Sequence, residues 1–252
     1  MDTDRGTGTD PLMARARLLW ESLAGVPVSF ASRGGPTVVT APASALAPPG
    51  WVGTVLLGDA AVVTAPSDGV AHTVRRALTG VATPSLTDPG AVAGVLPVAE
   101  VLGPATLAYL SGDAFRPSPP GAGATDRLPP GHGDLVRLLA SVSEEDAGEC
   151  GLDEITSPAF AVRDGDTVVA AAGYRDWPHG TAHLCVLTAP HARGRGLARR
   201  VASAATAHAL AAGRLPQWRA RPAASRRVAG ALGFRELGSQ LSVRGVQSPT
   251  IS

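Results

Sequence analysis

The sequence predicts an α/β protein: a mixed central sheet flanked by helices, preceded by a smaller N-terminal α/β unit. Three observations carry this prediction. Two apolar hairpins are written into the chain, one around Gly58-Asp59 and one around Asp164-Gly165. Beyond residue 183, valine- and leucine-rich strands alternate with alanine-rich helical stretches. Between the two regions, residues 116–131 hold Pro117, Pro119, Pro120, Gly121, Gly123, Pro129, Pro130 and Gly131, a composition that suits a linker.

In chain order, residues 1–10 read as a disordered tail. Pro11 suits the first position of a helix with Asp10 as its N-cap. Leu12, Leu19 and Leu23 then form one stripe that ends near Gly25. Val26–Ala31 and Thr37–Thr40 read as short strands. Thr54–Leu57 and Ala61–Thr64 form the first hairpin, Val70–Leu78 a helix, Ala91–Leu96 a short helix and Thr106–Leu110 a strand. These make an accessory domain over residues 11–115.

The second domain is expected over residues 132–246, with 247–252 as a C-terminal tail. Asp134–Ala140 starts a helix with Asp134 as cap, and Ser143-Glu144-Glu145-Asp146 carries acids in a first helical turn. Phe160–Arg163 and Thr167–Tyr174 form the second hairpin, and His183–Thr188 the next strand. In the helix Leu197–Ala212, Leu197, Val201, Ala204, Ala205 and Ala212 share a face, with Gly213 as its stop. His208 falls in that stripe and reads as a partly buried, hydrogen-bonded residue. Gln217–Ala220 is a strand, Ala223–Leu232 a helix closed by Gly233, Phe234 an apolar plug, and Leu241–Arg244 the last strand.

The composition removes several kinds of chemistry. The chain contains no lysine and no asparagine, so its 22 basic residues are all arginine. Schiff-base catalysis on lysine, a pyridoxal anchor and a lysine-bearing phosphate loop are excluded. A net charge of +1 gives no overall pull toward nucleic acid or anionic lipid. Two cysteines, Cys150 and Cys185, are no disulfide framework and fit a reducing compartment. The first residues lack the apolar segment of a signal peptide, and no apolar run is long enough to span a bilayer. The expected location is the cytoplasm.

One stretch carries more chemistry than the rest: Leu184-Cys-Val-Leu-Thr-Ala-Pro-His-Ala-Arg-Gly-Arg-Gly-Leu-Ala-Arg-Arg200. An apolar strand runs into a glycine-rich loop that opens a helix, the usual geometry for a phosphate. A dinucleotide fingerprint is disfavoured, because Arg199 stands where its third small residue belongs and no acidic ribose partner follows about twenty residues on. What remains is Arg193-x-x-Gly196-x-Ala198 after a strand. With Val186–Pro190 before it and Ser225–Phe234, ending in Leu-Gly-Phe, after it, the stretch resembles the GNAT superfamily of acyl-CoA-dependent N-acetyltransferases.

That resemblance implies a GNAT-like sheet and acetyl-CoA as co-substrate, with no metal. It places backbone groups of Val186 and Thr188 on the pantetheine arm. The loop through Arg193, Gly194, Arg195, Gly196, Leu197 and Ala198 would hold the CoA pyrophosphate. The N–H of Val186 or Leu187 would polarise the thioester carbonyl. The family's frequent tyrosine acid falls at Ala229, and a common asparagine at Pro222, so the acid step departs from the pattern. Glu149, Glu154 and His183 are candidate bases, Glu154 foremost. Cys185 reads as a small strand residue, while Tyr174 and Trp177 read as core or as lining of an acceptor cleft. The expected reaction is direct attack of a primary amine, small-molecule or peptide, on acetyl-CoA. A non-catalytic acyl-CoA-binding module is the alternative. Neither nucleic acid nor membrane is expected as a partner, and a homodimer is compatible with the reading.

Overall fold

The computed structural model describes residues 10–31, 35–119 and 124–246. The expected tails, apart from Asp10, lie outside these residues. The elements, in order, are α1 (Pro11–Leu23), β1 (Thr37–Thr40), β2 (Val52–Leu57), β3 (Ala60–Ala65), α2 (Asp68–Ala77), α3 (Pro89–Ala93), β4 (Glu100–Tyr109), β5 (Asp126–Leu128), α4 (Gly133–Ala140), α5 (Glu144–Cys150), β6 (Ala159–Asp164), β7 (Thr167–Trp177), β8 (Thr181–Thr188), α6 (Leu197–Ala211), β9 (Leu215–Ala220), α7 (Ala223–Ala231) and β10 (Arg235–Arg244). The structure is mixed α/β, with parallel and antiparallel strand pairs and helices packed on them.

The chain divides into two compact units. One holds residues up to Thr106 together with Leu237 onward, and the other holds Leu107–Glu236. This division differs from boundaries expected at 115 and 132. The segment read as a linker contains β5, which pairs with β6, and the amide of Ser118 donates to Ser203 Oγ at 2.9 Å. The final strand pairs with β2 of the first unit, from Val243↔Val52 to Gly238↔Leu57. Gly238 permits that pairing, because a Cβ there would lie 1.8 Å from the carbonyl oxygen of Leu56.

In the first unit the strand order is β1-β3-β2-β10. The hairpin around Gly58-Asp59 forms as expected, with Leu57↔Ala60 closing it. Val38, Leu56, Val63, Val70, Val74 and Leu86 build the core between this sheet and α2. Ser67 caps α2 by accepting from the amide of Val70 at 3.3 Å. Val26–Ala31 is not a strand. The Phe30 amide donates instead to Glu21 Oε1 at 3.1 Å, which ties the segment to α1.

In the second unit β9, β8, β7, β6 and β5 follow one another. Side chains alternate across β7 and β8. Ala170, Ala172, Ala182 and Leu184 face α6 and α7, meeting Val201, Ala205, Ala209, Ala229, Leu232 and Phe234. Val169, Ala171, Cys185 and Leu187 face the other way, onto Leu135, Leu138, Leu152 and Ile155. Alanine on both sheet and helix lets α6 lie close against the strands. Trp218 meets Phe234 edge-on at 5.4 Å, a contact that contributes about 1 kcal/mol beyond its buried area. His208 is held as expected, with Nδ1 3.1 Å from the Tyr174 hydroxyl. Asp134 is not the cap of α4. His132 accepts the Asp134 amide at 3.2 Å, and the Asp134 carboxylate pairs instead with Arg137 and with Arg163, the latter at 2.5 Å.

Candidate functional site

The site begins with an unfinished ladder. β8 pairs with β7 along its whole length, from Thr181↔Trp177 to Thr188↔Ala170. Its parallel pairing with β9 covers only Thr181↔Leu215, Ala182↔Pro216 and His183↔Gln217. From Leu184 onward the two strands part, and the β9-facing edge of β8 is unpaired.

The register says which groups line that edge. The Ala189 amide donates to Val169 O at 2.9 Å, so N–H and C=O groups of Leu187 and Cys185 also point toward β7. Those of Val186 and Thr188 point the other way, into the open edge. This corrects the expectation for Leu187: its amide is spent on β7, and Val186 supplies the exposed N–H. No register shift interrupts the β7–β8 pairing there. The Thr188 carbonyl accepts from Arg193 Nε at 3.4 Å, and the Thr188 hydroxyl is buried without a partner. The outward peptide groups of Val186 and Thr188 fit the amides of a pantetheine arm.

At the end of β8 the chain turns through Pro190–Ala192 into the glycine loop. Gly194 (φ 78°) and Gly196 (φ 74°) adopt left-handed backbone that only glycine takes without strain. Gly196 is the N-cap of α6 and offers no side chain to its first turn. The amides of Leu197 and Ala198 therefore lack a capping partner, at the positive end of a 15-residue helix. No atom lies within 4 Å of where a Cβ on Gly194 or Gly196 would sit, so the cradle is open to an anion.

The cradle arginines are not free. Arg193 pairs with Asp146 of α5 at 2.8 Å, and Arg195 with Asp164 of β6 at 3.0 Å. Arg200 donates to Ala124 O at 2.8 Å. The Arg193 guanidinium holds the Asp146 carboxyl below its ordinary value.

The candidate bases are placed differently from one another. Glu154 is exposed and ion-paired with Arg175, and Glu149 forms a two-bonded pair with Arg221 at 2.9 and 3.0 Å. Neither is an isolated carboxylate. His183 sits where β8 and β9 part, with Nδ1 2.5 Å from Gln217 Oε1. Burial, then the Arg219 cation, push its pKa down to about 3. Cys185 is buried and its thiol is pushed up to about 12, so it is no nucleophile. Tyr174 is core. Trp177 stacks on His183 with centroids 4.1 Å apart. Ala229 lies on the buried face of α7, so no acid stands there. Sequence reasoning missed Gln217, Asp146 and Asp164, since no local pattern marks a partner on another element. Among the described residues, no three His, Cys, Asp or Glu side chains gather as a metal site.

Strand, glycine loop and helix follow one another here within a region that a known family model covers. Residues 158–239 match the model of the GNAT acetyltransferase family. The matched GNAT segment runs from β6 into β10 and includes the open edge, the cradle and α7. No curated protein sequence matches this chain. Similar solved structures include a GNAT-family protein from Novosphingobium aromaticivorans DSM 12444, at 25% identity over 60% of this chain and 67% of that one, TM-score 0.44. Another is a GNAT-family acetyltransferase from Colwellia psychrerythraea, at 16% identity over 58% and 57%, TM-score 0.42. A third is a GCN5-related N-acetyltransferase from Kribbella flavida, at 16% identity over 67% and 66%, TM-score 0.47. The chain spans between 57% and 67% of the lengths of these three. Among the described residues, no helix is long and apolar enough to cross a membrane.

Proposed function

We propose that this protein is an N-acetyltransferase that moves an acetyl group from acetyl-CoA directly to a primary amine. The observation that carries the reading is the parting of β8 and β9 after His183↔Gln217, with the glycine loop and uncapped α6 at its open end. An extended peptide-like arm completes the β8 edge as a missing strand would, through Val186 C=O and Thr188 N–H and C=O, which leaves the Val186 N–H for the thioester. Its diphosphate meets the amides of the Gly194–Ala198 loop.

The chemistry follows from those groups. The amine nitrogen attacks the thioester carbon, and the Val186 N–H faces the carbonyl oxygen as negative charge gathers on it. The carbon–sulfur bond then breaks and the thiolate leaves. The proton shed by the nitrogen balances the thiolate and travels through solvent, because Ala229 offers no acid. No covalent enzyme intermediate forms: Cys185 is held as a thiol and points into the core.

A specific observation favours a second reading. The buried Ala229 also suits a module that binds acyl-CoA without turning it over. Calorimetry with acetyl-CoA, followed by thiol release in the presence of a panel of primary amines, separates the two. Binding with amine-dependent release supports the enzyme, binding with no release on any amine supports the module, and no binding removes both. The cytoplasm remains the compartment proposed for it.

A further inference from the structure

At the vertex where β8 and β9 part, His183 faces Gln217, the last pair of their ladder. The His183 Nδ1 lies 2.5 Å from the amide oxygen of Gln217. With the amide oxygen of Gln217 toward the ring, the contact is a hydrogen bond only in the Nδ1–H form, which leaves the lone pair on Nε2. Trp177 stacks on the ring with planes 7° apart, which fixes its orientation from a second side. Gln217 is fully buried, yet its amide nitrogen has no partner. Two apolar side chains would pack here without that loss, so stability alone does not account for the pair.

Position adds the chemical meaning. From Val186, whose N–H faces the thioester carbonyl in the reading above, back to His183 the strand covers about 10 Å at ~3.3 Å per residue. An acceptor that enters at this vertex therefore meets the donor along the open edge of β8. We propose that His183 receives the acceptor: its Nε2 accepts a hydrogen bond from the attacking amine and aims the nitrogen lone pair at the thioester carbon, while Gln217 is a positioning residue that holds the ring in its Nδ1–H form. This rests on the acetyltransferase reading above.

The imidazole does not carry the proton away. The groups around it are Arg175 of β7 with its partner Glu154, Arg219 of β9 and the Cys185 thiol along β8, and burial leads the depression of its pKa to about 3. It stays neutral while the protein works, so the acceptor it binds is the uncharged amine. For an alkyl amine, kcat/KM accordingly rises with pH along the amine's own titration, with no histidine step near pH ~6.5.

The test uses the full chain and three readouts. His183→Phe keeps the ring stack on Trp177 and removes Nε2, and Gln217→Leu keeps the burial and removes the amide. In ¹⁵N-histidine spectra of the wild type, His183 is expected in the Nδ1–H form from about pH 5 to 9. After His183→Phe, kcat for amine acetylation falls about 100-fold while the acetyl-CoA Kd stays within about twofold. After Gln217→Leu, the Nε2–H form appears in the spectra and KM for the amine rises about tenfold. A wild type in the Nε2–H form, or a His183→Phe variant within about threefold of wild-type kcat, overturns the proposal. Wild type that does not bind acetyl-CoA overturns the acetyltransferase reading and this one with it. Wild type that binds and turns over, with His183→Phe equally fast, overturns this one alone.

Discussion

Replacing Gly196 by glutamate tests the cradle with a magnitude that the geometry supplies. Gly196 has φ 74° and ψ 6°, left-handed backbone that costs an L-residue about 1–2 kcal/mol. No neighbouring atom lies within 4 Å of the new Cβ, so no clash adds to that cost. At roughly 2–4 °C per kcal/mol for a chain of this size, Tm falls by about 2–8 °C and the protein stays folded. Binding suffers far more. A carboxylate about 4 Å from a phosphate repels it by ~4 kcal/mol at the effective dielectric of a protein surface, roughly a thousandfold in Kd. Gly196→Ala carries the same backbone strain with no charge, so it shares the Tm loss and keeps most of the affinity. Calorimetry with CoA, beside thermal melts of all three proteins, reads both quantities. A Gly196→Glu variant that binds CoA within about threefold of wild type would refute the assignment of this loop to the pyrophosphate.

Three further outcomes follow from the structure. Ala229→Tyr forces a ring into a closed core, so it costs about 1–3 kcal/mol in denaturant titrations and leaves kcat no higher; a faster enzyme would place this residue in the cleft. Gly233→Ala is destabilising by about 3 kcal/mol, since φ is 95° and the added Cβ would lie 2.1 Å from Ala114 O; unchanged stability by chemical denaturation would contradict that packing. Asp134 is held below the ordinary carboxylate value of 3.8, chiefly by its hydrogen bond to Arg163. Its contribution is therefore complete above that value and disappears as pH falls through the lowered one. Denaturation midpoints across the acid range should drop less steeply for Asp134→Asn than for wild type, and parallel curves would show that the ion pairs contribute nothing.

The parts of this molecule that the sequence announces are those made by neighbours along the chain. Asp164-Gly165 closes its hairpin, Gly233 stops α7, and Arg193–Ala198 opens α6, because each needs a turn or cap residue at a fixed offset. Val26–Ala31 has strand-like composition, but Glu21 claims the Phe30 amide, a competition that no propensity reveals. The last strand was legible as a strand, and its partner β2 was not, since about 180 residues separate them. The site divides in the same way. Its glycine loop is local and visible. The point where β8 leaves β9 is a property of two strands at once, and Gln217 meets His183 across 34 positions of sequence. Asp146 and Asp164 reach the cradle arginines over 47 and 31 positions, so charge patterning along the chain could not disclose them.

On the proposed coenzyme A reading, those two ion pairs set what kind of anion receptor the loop would be. With Arg193 and Arg195 already matched to carboxylates, an arriving diphosphate would find little unspent charge on these two side chains. What it finds is a set of fixed peptide dipoles, which cannot swing toward a stray chloride or along a polyanionic chain. Attraction of that kind is short-ranged and directional. It rewards a ligand whose oxygens match the spacing of the amides and is indifferent to how much charge the ligand carries elsewhere. In added salt, whose main effect is to weaken long-range Coulomb attraction, such a receptor keeps its affinity better than a cluster of unpaired arginines would.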